Sequence, residues 1–170
     1  MDGIIKILVV EDDNEINQLL CEIITKSGYL PQPAYSGTEA LLYLAGEQAW
    51  SMVLLDLMLP GLKGDEILQQ LGPDRQFPVI MISAKGEQHT KASILRMGAD
   101  DYITKPFDIE EVSARIDIHL RRYRRVAAVT INEDVAITLS PRISAELRMS
   151  TKYEVTSRIV GGQEHSPITN

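Results

Sequence analysis

The chain has 170 residues, of which 44% are hydrophobic and 24% charged, with a formal net charge of −7. This length holds one well-packed core and leaves room for a small second unit, and the acidic balance argues against the whole chain binding nucleic acid or a membrane surface, leaving only a local basic patch for such contacts. A lone cysteine, Cys21, excludes an internal disulfide, and with neither a signal-peptide pattern nor a span-length apolar run, a cytoplasmic protein with no membrane partner is expected.

Ile4 to Val10 is apolar apart from Lys6 and rich in β-branched residues, which predicts a buried first strand ending at Glu11-Asp12-Asp13. Ile16, Leu19, Leu20, Ile23 and Ile24 then recur at helical spacing up to Gly28, and Asp13 is read as a cap or a solvated loop acid. Cys21 falls on its core face, where a packed thiol is expected rather than a reactive one. Leu30 to Ala34 is a second strand whose Pro31 and Pro33 favour a sheet edge. Ser36 caps a second helix with Ala40, Leu41, Leu44 and Ala45 facing inward before Gly46.

Met52 to Leu55 reads as a third strand and Gly64 to Leu71 as the next helix, joined by a Pro60-Gly61 loop. A fourth strand over Phe77 to Ile82 ends at Ser83-Ala84-Lys85-Gly86, and a helix follows over Gln88 to Met97. Tyr102-Ile103-Thr104 is a short fifth strand before Lys105-Pro106, and Ile109 to Arg122 a fifth helix with Val112, Ile116 and Leu120 on one face. Alternation of this kind implies an α/β fold with a parallel sheet covered on both faces and right-handed crossovers.

The pattern changes at Val126. Val129 and Ile131, then Val135, Ile137 and Leu139, alternate across Asn132-Glu133-Asp134, which predicts a hairpin. Ile143, Ala145, Leu147 and Met149 alternate again, and Tyr153 and Val155 continue toward Gly161-Gly162, so a small antiparallel sheet is expected here.

Glu11, Asp12, Asp56, Ser83 and Lys105 all fall at or just after the C-terminal ends of strands, the edge where doubly wound folds bind ligands. Three acids concentrated there need a compensating cation, and their oxygen ligands suit Mg2+, which keeps several waters and accepts phosphate oxygens. That setting fits Asp56 as a nucleophile on phosphorus, with Lys105 paired to one phosphoryl oxygen and the Ser83 hydroxyl donating to another.

Val-Val-Glu11-Asp12, Leu55-Asp56-Leu-Met-Leu-Pro-Gly, Ser83-Ala84 and Tyr102-Ile-Thr-Lys105-Pro106-Phe occur in the order seen in response-regulator receiver domains of two-component signalling, which the chain resembles over about residues 4 to 123. The resemblance implies a flavodoxin-like five-stranded sheet of order 2-1-3-4-5, as in the receiver that is a standard example of that order. It makes Asp56 the phosphoacceptor, and makes Asp12, Asp56 and the backbone carbonyl of Met58 the metal ligands, with Glu11 supporting through water. It also implies a cis Lys105-Pro106 bond and Tyr102 as an aromatic switch that turns inward as Ser83 moves toward the phosphoryl group. The implied donor is a sensor histidine kinase. The protein is expected to be a switch rather than an enzyme, with at most slow self-dephosphorylation.

Gly98-Ala-Asp-Asp-Tyr-Ile-Thr-Lys-Pro-Phe and Ala114-Arg115-Ile116 further resemble receivers of OmpR/PhoB type, which dimerise on phosphorylation through the fourth helix, fifth strand and fifth helix. The matching positions pair Lys91 with Glu111 and Asp101 with Arg115 across the dimer. Arg96 and Asp117 form a third pair with signs reversed from the family's usual acid on the fourth helix and base on the fifth. The resemblance divides the chain into a receiver over 1–123 and, over 124–170, a linker and partial β platform of a winged-helix effector. With no length for a recognition helix after Gly162, DNA binding is expected only through a complete effector, which points to a truncated or degenerate transcription regulator.

Plainer readings apply elsewhere. His89, His119 and His165 are expected to be solvated, and the run Arg121, Arg122, Arg124 and Arg125 suits a helix C-terminus better than a DNA contact. Two rival functions stand beside the transcriptional switch. One is a receiver signalling through protein contact alone, and the other a metal-dependent phosphohydrolase, against which counts the lack of an evident acid-base partner for Asp56.

Overall fold

In the computed structural model, backbone is described for residues 3–84 and 91–138, and side chains for 3–84 and 91–124. The chain divides into two units, Met1–Arg124 and Arg125–Asn170. The first contains β1 (Lys6–Val10), α1 (Asn14–Lys26), β2 (Leu30–Ala34), α2 (Gly37–Ala45), β3 (Met52–Asp56), α3 (Gly64–Leu71), β4 (Val79–Ala84), α4 (Lys91–Arg96) and β5 (Asp101–Lys105), and α5 runs over Ile109–Thr138. All strand pairs are parallel and the order is β2-β1-β3-β4-β5. The expected topology is therefore present.

Period-two alternation along the strands builds two cores. Leu8, Val10, Val53, Leu55, Val79 and Met81 pack with Ile67, Leu68 and Ile94 on the face covered by α2, α3 and α4. Ile7, Val9, Met52, Leu54, Ile80 and Ile82 pack on the other face with Leu20, Ile23 and Ile24 of α1 and Val112, Ile116 and Leu120 of α5. With both faces buried, the central strands carry almost no polar residue until their C-terminal ends, so the first polar side chain on each strand is delivered to one edge. Burial of each such aliphatic side chain stabilises the fold by about 1.5–3 kcal/mol.

Local chemistry sets the helix starts. Asp13 accepts from the backbone N–H groups of Glu15 and Ile16 at 2.9 and 3.0 Å, as its capping role requires. Ser36 accepts from Glu39 N–H, and Glu39 reaches back to Tyr35 N–H. Asp108 does the same work for α5 through Glu110 and Glu111. β2 is the edge strand expected from its prolines, with Pro31 opposite Ile7 and Pro33 opposite Val9. Ala45, expected inward, is exposed as the last residue of α2.

A larger expectation fails as well. Residues 129–138, read as the first strand, the turn and most of the second strand of a hairpin, are helical as the continuation of α5 to Thr138. Ala127, Ala128 and Ala136 favour helix, the stretch contains neither Gly nor Pro, and Asn132-Glu133-Asp134 lacks the glycine a tight hairpin turn needs. The remaining alternation, from Leu139 through Ile143 to Val155, lies outside the described residues, as does the start expected for α4 at Gln88.

Candidate functional site

The register of the sheet assembles the site. Val10 lies opposite Leu55, Asp56 opposite Ile82, and Ala84 opposite Lys105, so Glu11, Asp56, Ser83 and Lys105 leave the sheet side by side at its C-terminal edge. Asp56 is buried at the end of β3, where its Oδ1 accepts from Met58 N–H at 3.2 Å. Lys105 Nζ lies 3.1 Å from Asp56 Oδ2 and 2.6 Å from Glu11 Oε2. Glu11 is buried too, and its Oε1 accepts from Asp13 N–H at 3.1 Å.

Three hard oxygen donors converge here. One carboxylate oxygen from each of Glu11, Asp12 and Asp56 lies within 4.8 Å of the others, Asp12 being the exposed member. A cluster of carboxylates with a solvent-facing side matches the preference of Mg2+ for oxygen ligands and retained waters, so the donor set fits that ion. Burial pushes the Glu11 carboxyl up to about 7; the bond from Lys105 pulls the other way and the Asp56 charge adds to the rise. Burial alone would pull the Lys105 ammonium down, but its bonds to Glu11 and Asp56 outweigh this and hold it above its ordinary value. The lysine is thus fixed as a cation between two acids.

Ser83 is fully buried on β4, opposite Thr104 of β5, and Tyr102 is buried against the α4 side of the sheet. The Lys105-Pro106 bond is cis. Met58 is exposed beside the site. Gly64, the first residue of α3, packs directly on the backbone of Asp56 and Leu57, a contact that the glycine's place in the sequence does not advertise.

The residues expected at a dimer face are differently engaged within the single chain. Arg115 pairs with Asp101 at 2.8 Å and with Glu111 at 2.8 Å. Asp117 accepts from the Tyr29 hydroxyl at 2.7 Å, while Lys91 and Arg96 on α4 are exposed. His119 is a correction: expected in solvent, it is buried and 2.9 Å from Asp101. It follows Ile116 by three residues and so falls on the inner face of α5, the signal that marks it in retrospect. Bonds from Arg115 and His119 outweigh the burial of Asp101 and hold its carboxyl below the usual range. His89, His165 and Lys85 lie outside the described residues.

Asn17 was also missed. It is fully buried on α1, in register with Leu20 and Ile24, where an amide among aliphatics signals a backbone to be satisfied.

No helix among the described residues is long and apolar enough to cross a membrane. The chain is 44% identical over 132 residues to the regulatory protein VanRc of Enterococcus gallinarum, covering 75% of this chain and 57% of that protein. It is 36% identical over 140 residues to the phosphate regulon transcriptional regulatory protein PhoB of Escherichia coli (strain K12), covering 80% and 60%. The chain therefore spans about three fifths of the length of these relatives. Among solved structures, the Francisella response regulator 1452 receiver domain aligns with a TM-score of 0.64 at 34% identity, covering 69% of this chain and 97% of that one. NtrX from Brucella abortus aligns with a TM-score of 0.68 at 30% identity, covering 75% and 29%. Residues 7–117, more than half of the chain, match the response regulator receiver domain, and the chain belongs to that family.

Proposed function

We propose that the chain is a phosphorylation-operated switch whose phosphoacceptor is Asp56 and whose donor is the phosphohistidine of a sensor histidine kinase. The observation that carries this reading is the placement of Lys105 Nζ within 3.1 Å of Asp56 and 2.6 Å of Glu11 at the edge where three carboxylates converge. An Asp56 oxygen attacks phosphorus, an O–P bond forms as the N–P bond breaks, and the leaving imidazole takes a proton from solvent. Lys105 then pairs with a phosphoryl oxygen, and Ser83 donates to another. Asp12, Asp56 and the Met58 carbonyl would hold Mg2+, with Glu11 supporting through water, and the ion when bound neutralises charge that develops on the transferred group. Any loss of the phosphoryl group on the chain's own account is slow.

The switch reads out through Tyr102, whose inward position is the one compatible with Ser83 drawn to the phosphoryl group. The surface of α4, β5 and α5, carrying Lys91, Arg96, Asp101, Glu111, Arg115 and Asp117, then pairs two copies in the cytoplasm. Residues beyond the receiver begin an effector of OmpR/PhoB type, and the output is transcription. PhoB is a transcriptional regulatory protein and VanRc a regulatory protein, which supports this reading for the whole protein.

Incubation with acetyl phosphate and Mg2+, followed by intact-mass measurement, tests the proposal. Wild type gains one phosphoryl mass and Asp56→Asn gains none; a wild type without the added mass overturns it.

A further inference from the structure

Asn17 occupies an unusual place for an amide. Its side chain is completely buried in α1 among Leu20, Ile23 and Ile24. Burying an amide without partners costs about 1–3 kcal/mol, so its bonds identify what it is there to hold. Nδ2 donates to the Glu11 carbonyl at 2.9 Å and to the Ala34 carbonyl at 3.2 Å. Oδ1 accepts from the Cys21 thiol at 3.4 Å. The Ala34 carbonyl also accepts from Glu11 N–H at 3.0 Å.

Both peptide groups that flank Glu11 are thereby fixed. Its N–H is tied to the end of β2, and its C=O to Asn17. That C=O belongs to the peptide linking Glu11 to Asp12, so its orientation sets the direction in which the Asp12 side chain leaves the backbone. Two residues on, Asp13 N–H is bonded to Glu11 Oε1 and Asp13 itself caps α1. The loop is pinned at both peptide groups that flank Asp12, one of them by a side chain that makes no hydrogen bond to any of the three clustered carboxylates.

We infer that Asn17 is a positioning residue for the acid pair: by holding the Glu11–Asp12 peptide, it sets the Asp12 carboxylate in register with Asp56 for a divalent cation. The inference rests on the proposed cation site and extends it to a residue in the helix below. Without the amide donor, the Glu11 carbonyl turns to find another partner, the peptide plane rotates, and Asp12 swings away from Asp56. Cation affinity then falls while the phosphoacceptor and Lys105 stay in place.

Asn17→Leu keeps the volume and removes both polar groups, and Asn17→Ala removes them without filling the space. The readouts are the Mn2+ dissociation constant, measured by titration of the whole chain, and the Mg2+ dependence of phosphorylation by acetyl phosphate. Both variants should bind Mn2+ more weakly by about 10-fold, the size typical when a residue supporting a metal ligand is removed. Their phosphorylation rate should return to the wild-type level at saturating Mg2+, which general damage to the fold would not allow. Cys21→Ala, which removes only the thiol bonded to Oδ1, should bind Mn2+ as wild type does. Folded Asn17 variants with wild-type affinity overturn the inference and leave the phosphoacceptor reading intact. Failure of both variants to fold assigns Asn17 to the fold alone and overturns it as well. A wild type that binds no Mn2+ and takes no phosphoryl group overturns the parent reading, and this one with it.

Discussion

Arg115 Nη1 donates to both carboxylate oxygens of Asp101, at 2.9 and 2.8 Å, within one chain. The same arginine holds Glu111 one turn earlier, and His119 holds Asp101 one turn later. The acid and base proposed to meet across a dimer are thus already matched in the monomer. A dimer gains only the difference between the two arrangements, and partly exposed ion pairs differ little, typically by less than about 1 kcal/mol. Arg115→Ala should therefore weaken phosphorylation-dependent dimers about 5-fold or less and leave phosphoryl uptake unchanged, as read by sedimentation and intact mass. Loss of phosphoryl uptake in this variant would contradict the separation of the two surfaces.

Asp117 is held by the Tyr29 hydroxyl, and in the proposed dimer it would face Arg96 of a second copy only by sharing that bond. Asp117→Lys tests the reversed pair, because it would place two bases opposite each other in a homodimer. Weaker phosphorylation-dependent dimers are expected by sedimentation, and unchanged dimers would remove Arg96 and Asp117 from the interface.

The raised carboxyl of Glu11 gives the site a pH dependence. Its value in the folded chain is about 7 against an ordinary 4.5, so the folded state prefers the protonated form. For this group, stability without metal is full below 4.5 and declines as the pH rises through 7. A cation needs the ionised form and reverses that loss. The rise in Tm on adding Mg2+ should therefore be larger at pH 8 than at pH 6, by thermal unfolding in matched buffers. An equal rise at the two values would show that Glu11 does not sense the ion.

Gly64 has no room for a side chain. A Cβ there would overlap the Asp56 carbonyl oxygen and stand 2.9 Å from Leu57 Cα, and backbone cannot step aside as a flexible side chain can. Gly64→Ala should cost about 1–3 kcal/mol and slow phosphoryl uptake, because Asp56 itself must move. Gly46→Ala, whose nearest neighbour would lie at 3.4 Å, should do neither. Thermal unfolding and timed mass measurements separate the two variants.

Asp100 accepts from three elements at once: Arg75 at 2.9 Å, Val79 N–H at 2.8 Å and the Tyr123 hydroxyl at 3.2 Å. The Arg75 side chain is only 6% exposed, so Asp100→Ala would leave a buried cation without its counter-charge. A loss of about 3–5 kcal/mol is expected by denaturant unfolding, far above that for a surface aspartate. A loss below about 1 kcal/mol would mean that water replaces the acid.

The strands and the converging edge were legible because a sheet buried on both faces tolerates polar residues only at its ends, as Glu11, Asp56 and Ser83 display. Contacts made by small or buried polar groups were not. Gly64 carries no side chain to betray its neighbour. His119 and Asn17 were obscured because a polar residue on a helix ordinarily faces water, and only its phase against Ile116 or Leu20 shows otherwise. The stretch after Arg125 misled for a different reason: β-branched residues at alternate positions also fit a helix when alanines lie between them and nothing breaks it.

The two prolines of β2 have an effect beyond marking an edge. Leu30 N–H bonds the Ile5 carbonyl and the Ala34 carbonyl receives Glu11 N–H, so residues 30, 32 and 34 turn their backbone groups toward β1. Pro31 and Pro33 are the residues that turn outward, and neither has an N–H to give. The outer rim of the sheet is therefore an amide ladder with its rungs removed, on which an incoming strand finds no donor at either position. Such a rim resists edge-to-edge polymerisation when the protein is concentrated, and it confines association between copies to their helices and the far side of the sheet.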